Sequence, residues 1–386
     1  MHRNLDRVLS QLVEEIERVE VTRRRFGAVM KKIKGQIDPA RFAVMAATTP
    51  ESRLVSRVQP TSLSGLRIAG IDGGLVRRDF GGMELILTRG VAVILQFQPQ
   101  NGPDVEFFPD PFPEPRVQAV RQPLSSTEMD QLASLQRLEA ELGVTLAVLD
   151  EFDADIILVD GSLMYHPRDR PPSASPVNEK FQEVMALYRQ LYHRSKKKKA
   201  TLVGVVKDSR SSRVVSMLGD ILPHMLREPS MFELMQGVDY RWLLRFSRDC
   251  DILNTFLEEG ERTFIFNYSA EFTQTSNSLD DDLLAWASDI WVTYLKTARD
   301  DLPIRVEVLA TQGDTCTERV DRALSAILPL SWGHPEYGIP TPILEADARA
   351  KITNNESQLV VDRLAALSGL SHALLEKRRS RNPFGG

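Results

Sequence analysis

Residues 67–74 read RIAGIDGG, and residues 155–162 read DIILVDGS. Each stretch is a run of apolar residues followed by aspartate and glycine, which predicts a buried strand that ends at Asp72 or at Asp160. Acidic side chains at the carboxyl ends of buried parallel strands lie where α/β sheets place their functional sites. An ordinary Asp-Gly turn after each strand is the alternative interpretation.

The sequence around these two motifs alternates between strand and helix patterns. Glu84–Leu95 follows a Gly81-Gly82 turn and predicts a hairpin partner for the first strand. Helices over 127–151 and 179–192 flank the second strand. This order predicts an α/β fold with a mixed sheet flanked by helices. Further expected elements are a Pro-rich loop with short strands over 97–125, strands over 201–206, 261–267 and 303–309, a helical insertion over 211–257, a helix over 343–367 and a last helix over 370–379.

Residues 5–33 predict one long helix. Apolar residues recur at three- and four-residue spacing from Leu5 to Val19, and the opposite face carries Glu and Arg. Such a narrow stripe either covers the core of its own domain or packs on a partner subunit. Both interpretations stay open at the level of sequence.

The composition is that of a globular protein. The 386 residues are 42% apolar and 26% charged, with a net charge of -5, which excludes a collagen-like or wholly disordered chain. A protein that coats polyanions would be basic overall, whereas a nuclease needs carboxylates and only local DNA contacts. Two cysteines are too few for a disulfide scaffold. The absence of an apolar leader or a long apolar run predicts a cytoplasmic protein without a membrane span.

Grouped carboxylates are suited to holding hard cations. Mg²⁺ and Mn²⁺ prefer oxygen ligands, and two such ions about 4 Å apart can activate a water and stabilise the leaving oxygen in phosphodiester cleavage. Besides Asp72 and Asp160, the helix before Asp160 offers Glu139 and Glu141. A late helix offers Glu345 and Asp347 within LEADARAKI.

Four motifs together resemble those of the NurA nucleases, the DNA-end-processing partners of the HerA hexameric ATPase. They are IAGIDGG, DIILVDGSLM, VGVVKDSRSS and YGIPTPILEADARAKI, which occur in the order typical of the family and cover residues 67–352. The resemblance implies a fold similar to RNase H and to the PIWI domain of Argonaute. It also implies an acidic active site that uses two Mn²⁺ or Mg²⁺ ions.

The resemblance carries the catalytic, metal-binding role over to four residues, Asp72, Glu141, Asp160 and Asp347. Motif spacing favours Glu141 as the helix ligand, although helical geometry places Glu139 nearer the apolar stripe. Asp347 stands where the family usually has a histidine ligand, so that activity and metal preference depend on this replacement. If Asp347 is an ordinary helix-surface acid, the fourth ligand is expected at Glu345 or His334.

The basic residues after the strand at 201–206 are the candidate DNA contacts. Lys207, with Arg210 and Arg213 beside it, is expected to contact phosphate, and a solvated basic loop is the alternative.

Family members are homodimers that sit on the ATPase hexamer, so a homodimer, DNA and a HerA-like hexameric ATPase are the expected partners. The expected domains are an N-terminal helical segment over 1–60, an RNase H-like nuclease domain over 61–352, and a C-terminal helix and tail over 353–386.

These features predict a metal-dependent endo- or exodeoxyribonuclease. It would trim 5′ ends of single- and double-stranded DNA with a HerA-type ATPase, in double-strand break repair or in anti-phage defence. One alternative is a catalytically weakened NurA-like scaffold of a HerA complex, which the aspartate at position 347 favours. Another is an actin-like phosphotransferase, but that class needs a late Gly-rich loop, and residues 300–345 contain only three scattered glycines.

Overall fold

The computed structural model describes residues 2–42, 49–80, 83–198, 200–269, 281–310 and 316–369. The expected Gly81-Gly82 turn and the expected helix over 370–379 lie outside these ranges. Within them the protein is a mixed sheet flanked by helices, as predicted. The strands are β1 (Val55–Arg57), β2 (Arg67–Phe80), β3 (Met83–Gln96), β4 (Asp104–Phe108), β5 (Arg116–Val120), β6 (Ile156–Asp160), β7 (Thr201–Val206), β8 (Glu261–Thr263), β9 (Phe266–Asn267), β10 (Ile290–Leu295) and β11 (Ile304–Leu309).

The helices precede, interrupt and follow this sheet. They are α1 (His2–Ile33), α2 (Ser126–Glu151), α3 (Asn178–Lys197), α4 (Arg213–Met225), α5 (Pro229–Met235), α6 (Tyr240–Phe246), α7 (Asp249–Leu253), α8 (Asp281–Asp289), α9 (Cys316–Leu330), α10 (Thr341–Ala350) and α11 (Asn354–Ser368). The expected insertion over 211–257 is helical, as α4 to α7. No helix among the described residues is both long and apolar enough to cross a bilayer.

The chain forms two compact units. The first comprises the described residues within Met1–Ser62, Gly161–Leu163 and Gly204–Pro340, and the second those within Leu63–Asp160, Met164–Val203 and Thr341–Gly386. In the first unit β1, β8, β10 and β11 follow one another across the sheet, and in the second the order is β6, β2, β3, β4. The single domain expected over 61–352 stays a prediction.

The second unit is built on a long hairpin. β2 and β3 pair antiparallel from Arg67↔Gln96 to Phe80↔Met83, and β6 pairs parallel with β2. The prediction that the first strand ends at Asp72 is therefore wrong, since β2 continues eight residues beyond it to Phe80. The two glycines after Asp72 do not turn the chain. They leave room for helices that pack on the strand from both sides.

Helix α1 is buried at one end and leaves its predicted apolar stripe exposed at the other. Phe26, Met30 and Ile33 are buried in the first unit, so this end of the helix covers the core of that unit. Toward the other end, Leu5, Leu12 and the apolar residues between and after them are about half exposed. Nothing within the described residues of the chain covers that half of the stripe.

Candidate metal centre

Three aspartates meet in the second unit. Asp72, Asp160 and Asp347 each offer one carboxylate oxygen, and these oxygens lie within 4.8 Å of one another. Asp72 is buried, Asp160 is half-buried and Asp347 is exposed. A search of the described residues for three or more acidic, His or Cys side chains close enough to share a metal ion finds these three aspartates. The residues come from β2, β6 and α10, so the site forms only when all three elements are packed.

Strand register places the first two aspartates side by side. Ile71 on β2 pairs with Val159 on β6 in parallel register, so that Asp72 and Asp160 are the next residues along each strand. β6 ends at Asp160, as predicted. Gly161 follows with a φ of 120°, a conformation that an L side chain rarely adopts, and the chain turns away there.

The third aspartate is brought in by close packing of α10 on β2. Successive residues of a strand face opposite sides of the sheet, so Gly70, Asp72 and Gly74 share one face. A methyl group on Gly70 would collide with the backbone of Pro342, and one on Gly74 would collide with the carbonyl of Ala350. The helix therefore lies against bare backbone, and its Asp347 reaches Asp72.

Glu141 approaches β2 from the opposite face. Its side chain packs on Gly73, where an added methyl group would lie 2.5 Å from Glu141 Cγ. Glu141 is buried, whereas Glu139 is only half-buried and forms ion pairs with Lys180 and Arg116. The structure thus places Glu141, not Glu139, beside the aspartates, although helix periodicity alone favoured Glu139. The reason is that α2 packs on both the sheet and α3, which widens its buried surface beyond one stripe.

Burial dominates the electrostatics of Glu141. Desolvation raises its pKa from 4.5 to about 8, and the nearby charges of Asp72 and Asp160 act in the same direction. Arg137, one helical turn earlier, donates a hydrogen bond to Glu141 Oε1 and opposes this rise. A divalent cation near these carboxylates would favour their charged forms.

The raised pKa of Glu141 predicts a pH-dependent stability of the metal-free protein. Between about pH 4.5 and pH 8 the folded state holds one proton more than the unfolded state, so the free energy of unfolding falls as pH rises. The expected slope is about 1.4 kcal/mol per pH unit. Urea unfolding of Glu141→Gln across this range should lack that component, whereas Glu139→Gln should retain it. Equal slopes in the two variants would contradict the assignment.

A buried acid of the first unit holds the turn that follows Asp160. Glu307 on β11 accepts hydrogen bonds from Ser162 Oγ at 2.8 Å and from the backbone N–H of Leu163 at 2.9 Å. Arg305 Nε donates to Glu307 at 2.8 Å and balances its charge. Glu307 was not predicted from the sequence. The signal was present, because PIRVEVL places two opposite charges inside an otherwise apolar strand.

A buried arginine holds the end of the helix that carries Asp347. Arg89 on β3 donates hydrogen bonds to the carbonyls of Arg349 and Lys351 and forms an ion pair with Glu356 at 2.5 Å. These carbonyls lie at and just beyond the end of α10, where the carbonyl oxygens have no backbone N–H partner within the helix. Arg89 was also missed, although an arginine within the apolar run of β3 is the kind of residue that needs buried partners.

The other candidate residues are distributed over the first unit and helix α10. Lys207 and Arg210 follow β7, and Arg213 begins α4, all within the first unit. Lys207 is half-buried and Arg210 is exposed. Glu345 forms an ion pair with Arg349 on its own helix, and His334 is exposed in the first unit. Neither alternative fourth ligand therefore belongs to the three-aspartate group.

The chemistry of the donor set defines a class of site. Three carboxylates from three elements, with a fourth buried carboxylate on the other face of β2, form an oxygen-only centre that fits a hard divalent cation. A mixed sheet whose neighbouring strands β2 and β6 carry two of these aspartates places the chain among α/β proteins with a candidate metal centre. Comparison with known proteins identifies the family within this class.

A sequence model of the NurA domain matches residues 66–352. The chain belongs to the NurA family, which confirms the resemblance of the four motifs. Among solved structures, the NurA nuclease from Sulfolobus solfataricus is 14% identical, with a TM-score of 0.51 over 94% of this chain and 97% of that one. A NurA bound to dAMP and manganese is 13% identical, with a TM-score of 0.42 over 96% and 98% of the two chains. The comparison with curated proteins found no match.

Proposed function

We propose that this protein is a metal-dependent DNA nuclease that trims DNA ends. The observation that carries the proposal is the group formed by Asp72, Asp160 and Asp347, whose oxygens lie within 4.8 Å of one another. Membership of the NurA family and a fold like that of the S. solfataricus nuclease support the same reaction. We assign Asp72, Asp160, Asp347 and Glu141 the metal-binding role.

The residues present fit Mn²⁺ or Mg²⁺. The aspartates supply oxygen atoms, which both ions prefer, and the exposed Asp347 leaves one side of the site open to substrate. When bound, two ions would activate a water and stabilise the leaving oxygen of a phosphodiester. The chain itself orients the ligands: Gly161 turns the backbone after Asp160, and the N–H of Gly73 donates to Asp72 Oδ1 at 2.7 Å.

Cleavage of end-labelled DNA in Mn²⁺, compared between wild type and Asp72→Ala, tests this proposal. The wild type is expected to cut single- and double-stranded substrates, and the variant to bind DNA without cutting it. A wild type that binds DNA but does not cut with either metal would instead support the scaffold interpretation. The polarity of the products decides whether 5′ ends are trimmed.

We further propose the partners expected from the family. Lys207, Arg210 and Arg213 form the basic group that contacts DNA phosphates. The exposed apolar half of α1 is suited to pairing with a second copy of this chain, because its apolar residues repeat like a coiled-coil seam. The homodimer would act in the cytoplasm with a HerA-like hexameric ATPase, which supplies the motor, in break repair or in phage defence.

The dimer depends on the stripe of α1 in this proposal. Light scattering at micromolar concentration is expected to give a dimer for the wild type. Replacing Leu9 and Leu12 with aspartate should give a monomer, because two charges would be buried in an apolar seam. Replacing Glu14 and Glu17 with glutamine, on the polar face of the same helix, should leave the dimer intact. A monomeric wild type that does not associate with HerA would refute the assignment.

Asp347 should widen the choice of metal. An all-carboxylate site accepts Mg²⁺ and Mn²⁺ alike, whereas an imidazole ligand favours Mn²⁺ and later transition metals. We therefore expect Asp347→His to shift the ratio of Mn²⁺ to Mg²⁺ cleavage rates toward Mn²⁺. The substitution should also introduce a pH dependence near the histidine range of about 5 to 8. Asp347→Ala should lose most activity, and an alanine variant that cleaves like wild type with both metals would make Asp347 an ordinary surface acid.

A further inference from the structure

The carboxylate of Glu141 is already paired with a cation of the same helix. Arg137 lies one helical turn before Glu141 on α2, and its guanidinium forms an ion pair and a hydrogen bond with Glu141 Oε1. The Glu141 side chain is 4% exposed, while that of Arg137 is 33% exposed. The pair thus consists of an enclosed carboxylate and a guanidinium that reaches solvent.

Only one member of this pair has room to leave. Glu141 is buried, and its Cγ and Oε1 atoms pack directly against the backbone of Gly73. Arg137 is a long side chain with a solvent-exposed portion, so rotation about its side-chain bonds carries the guanidinium outward without opening the core. A second cation that binds Glu141 through Oε1 must therefore displace Arg137.

The three aspartates provide a separate place for a first ion. Asp72, Asp160 and Asp347 meet without Glu141, so one ion can bind them while Arg137 stays on Glu141. Glu141 is a further carboxylate whose charge interacts with those of Asp72 and Asp160, which makes it the candidate ligand for a second ion. Arg137 already engages Glu141 Oε1, and its positive charge repels a divalent ion that approaches the same carboxylate, so the two cations compete for Glu141.

We propose that Arg137 competes with a second divalent cation for Glu141, so that the metal centre fills in two steps. This inference rests on the proposed metal-binding function and adds a regulation to it. The first ion binds the aspartates, and Arg137 holds Glu141 in place of the second. At low metal concentration the centre therefore carries one ion and an arginine, and at higher concentration it carries two ions.

Mn²⁺ binding measured without DNA tests this competition, at a pH above the Glu141 pKa of about 8 so that the carboxylate is charged before metal is added. Free Mn²⁺ is counted by electron paramagnetic resonance during titration of wild type, Arg137→Met and Arg137→Lys. The wild type should show a tight site and a weaker one. Arg137→Met removes the charge at similar length, so its second dissociation constant should fall about tenfold, with the first unchanged. Arg137→Lys keeps the cation and should bind like wild type.

The control is Arg116→Met. Arg116 on β5 forms an ion pair with Glu139, which lies on the same helix as Glu141, so its loss should leave both Mn²⁺ dissociation constants unchanged. A second dissociation constant that stays the same or rises in Arg137→Met overturns the competition, as does a single binding site in both proteins. If Arg137→Met does not fold, Arg137→Gln is titrated in its place with the same expectations. Absence of any Mn²⁺ binding to wild type would instead refute the proposed function itself.

Discussion

If Asp160 has the proposed role, Asp160→Asn is expected to lower Mn²⁺-dependent DNA cleavage by about a thousandfold or more, because it removes a charged metal ligand at the end of β6. An amide binds a hard cation more weakly than a carboxylate does, and it cannot offset the cation charge. The fold should survive, since Asp160 ends β6 at a half-buried position. The measurement is the initial cleavage rate at saturating Mn²⁺, with Mn²⁺ affinity determined in parallel.

Asp150→Asn is the matched control for this experiment. Asp150 lies at the surface in an ion pair with Arg194, and exposed pairs of this kind contribute little to stability. Asp150→Asn should cleave like wild type. Metal-free Asp160→Asn should also melt no lower than wild type, because one of several crowded negative charges has been removed. Full activity in Asp160→Asn would remove Asp160 from the site.

Gly74→Ala is expected to cost about 3 kcal/mol or more of unfolding free energy. The added methyl group would overlap the carbonyl oxygen of Ala350, and this backbone atom cannot rotate away like the end of a side chain. Helix α10 must then shift from β2, which moves Asp347 from Asp72. We therefore expect Mn²⁺ affinity to fall together with the melting temperature.

Gly143→Ala distinguishes this steric effect from a general effect of replacing glycine. Gly143 lies on an exposed position of α2 with no atom within 4 Å of an added methyl group. Alanine is the better helix former, so Gly143→Ala should raise the unfolding free energy by up to about 1 kcal/mol. Thermal melting of both variants without metal checks the contrast, and a Gly74→Ala protein as stable as wild type would contradict the close packing of α10.

The sequence predicted the class of fold because local patterns and their order agree. Apolar runs of strand length, the helix stripe at 127–151 and the alternation of elements together indicated a mixed sheet flanked by helices. The paired Asp-Gly motifs also pointed to Asp72 and Asp160, and their parallel register places them side by side. Asp347 came from the family motif, because nothing in the local pattern of α10 indicates that it reaches a strand so distant in sequence.

The errors came from contacts between distant segments. A glycine pair after an aspartate predicts a turn, but in β2 the same glycines accommodate α2 and α10, and the strand continues to Phe80. The periodicity of α2 alone could not show that α3 covers a second side of the helix, which is why Glu139 looked better placed than Glu141. Strand β10 was not predicted, although its apolar run IWVTYL is of the same kind as the strands that were.

The distribution of the three aspartates along the chain also bears on how the protein is made. Asp347 lies 275 residues after Asp72, so the ribosome must translate all of the intervening chain before the last of the three aspartates exists. Contacts between such distant residues form late in folding, because a large loop must close first. A nascent or truncated chain that lacks α10 therefore has two of the three aspartates. In the proposed function, the emerging chain therefore cannot assemble the DNA-cutting centre until α10 has been translated.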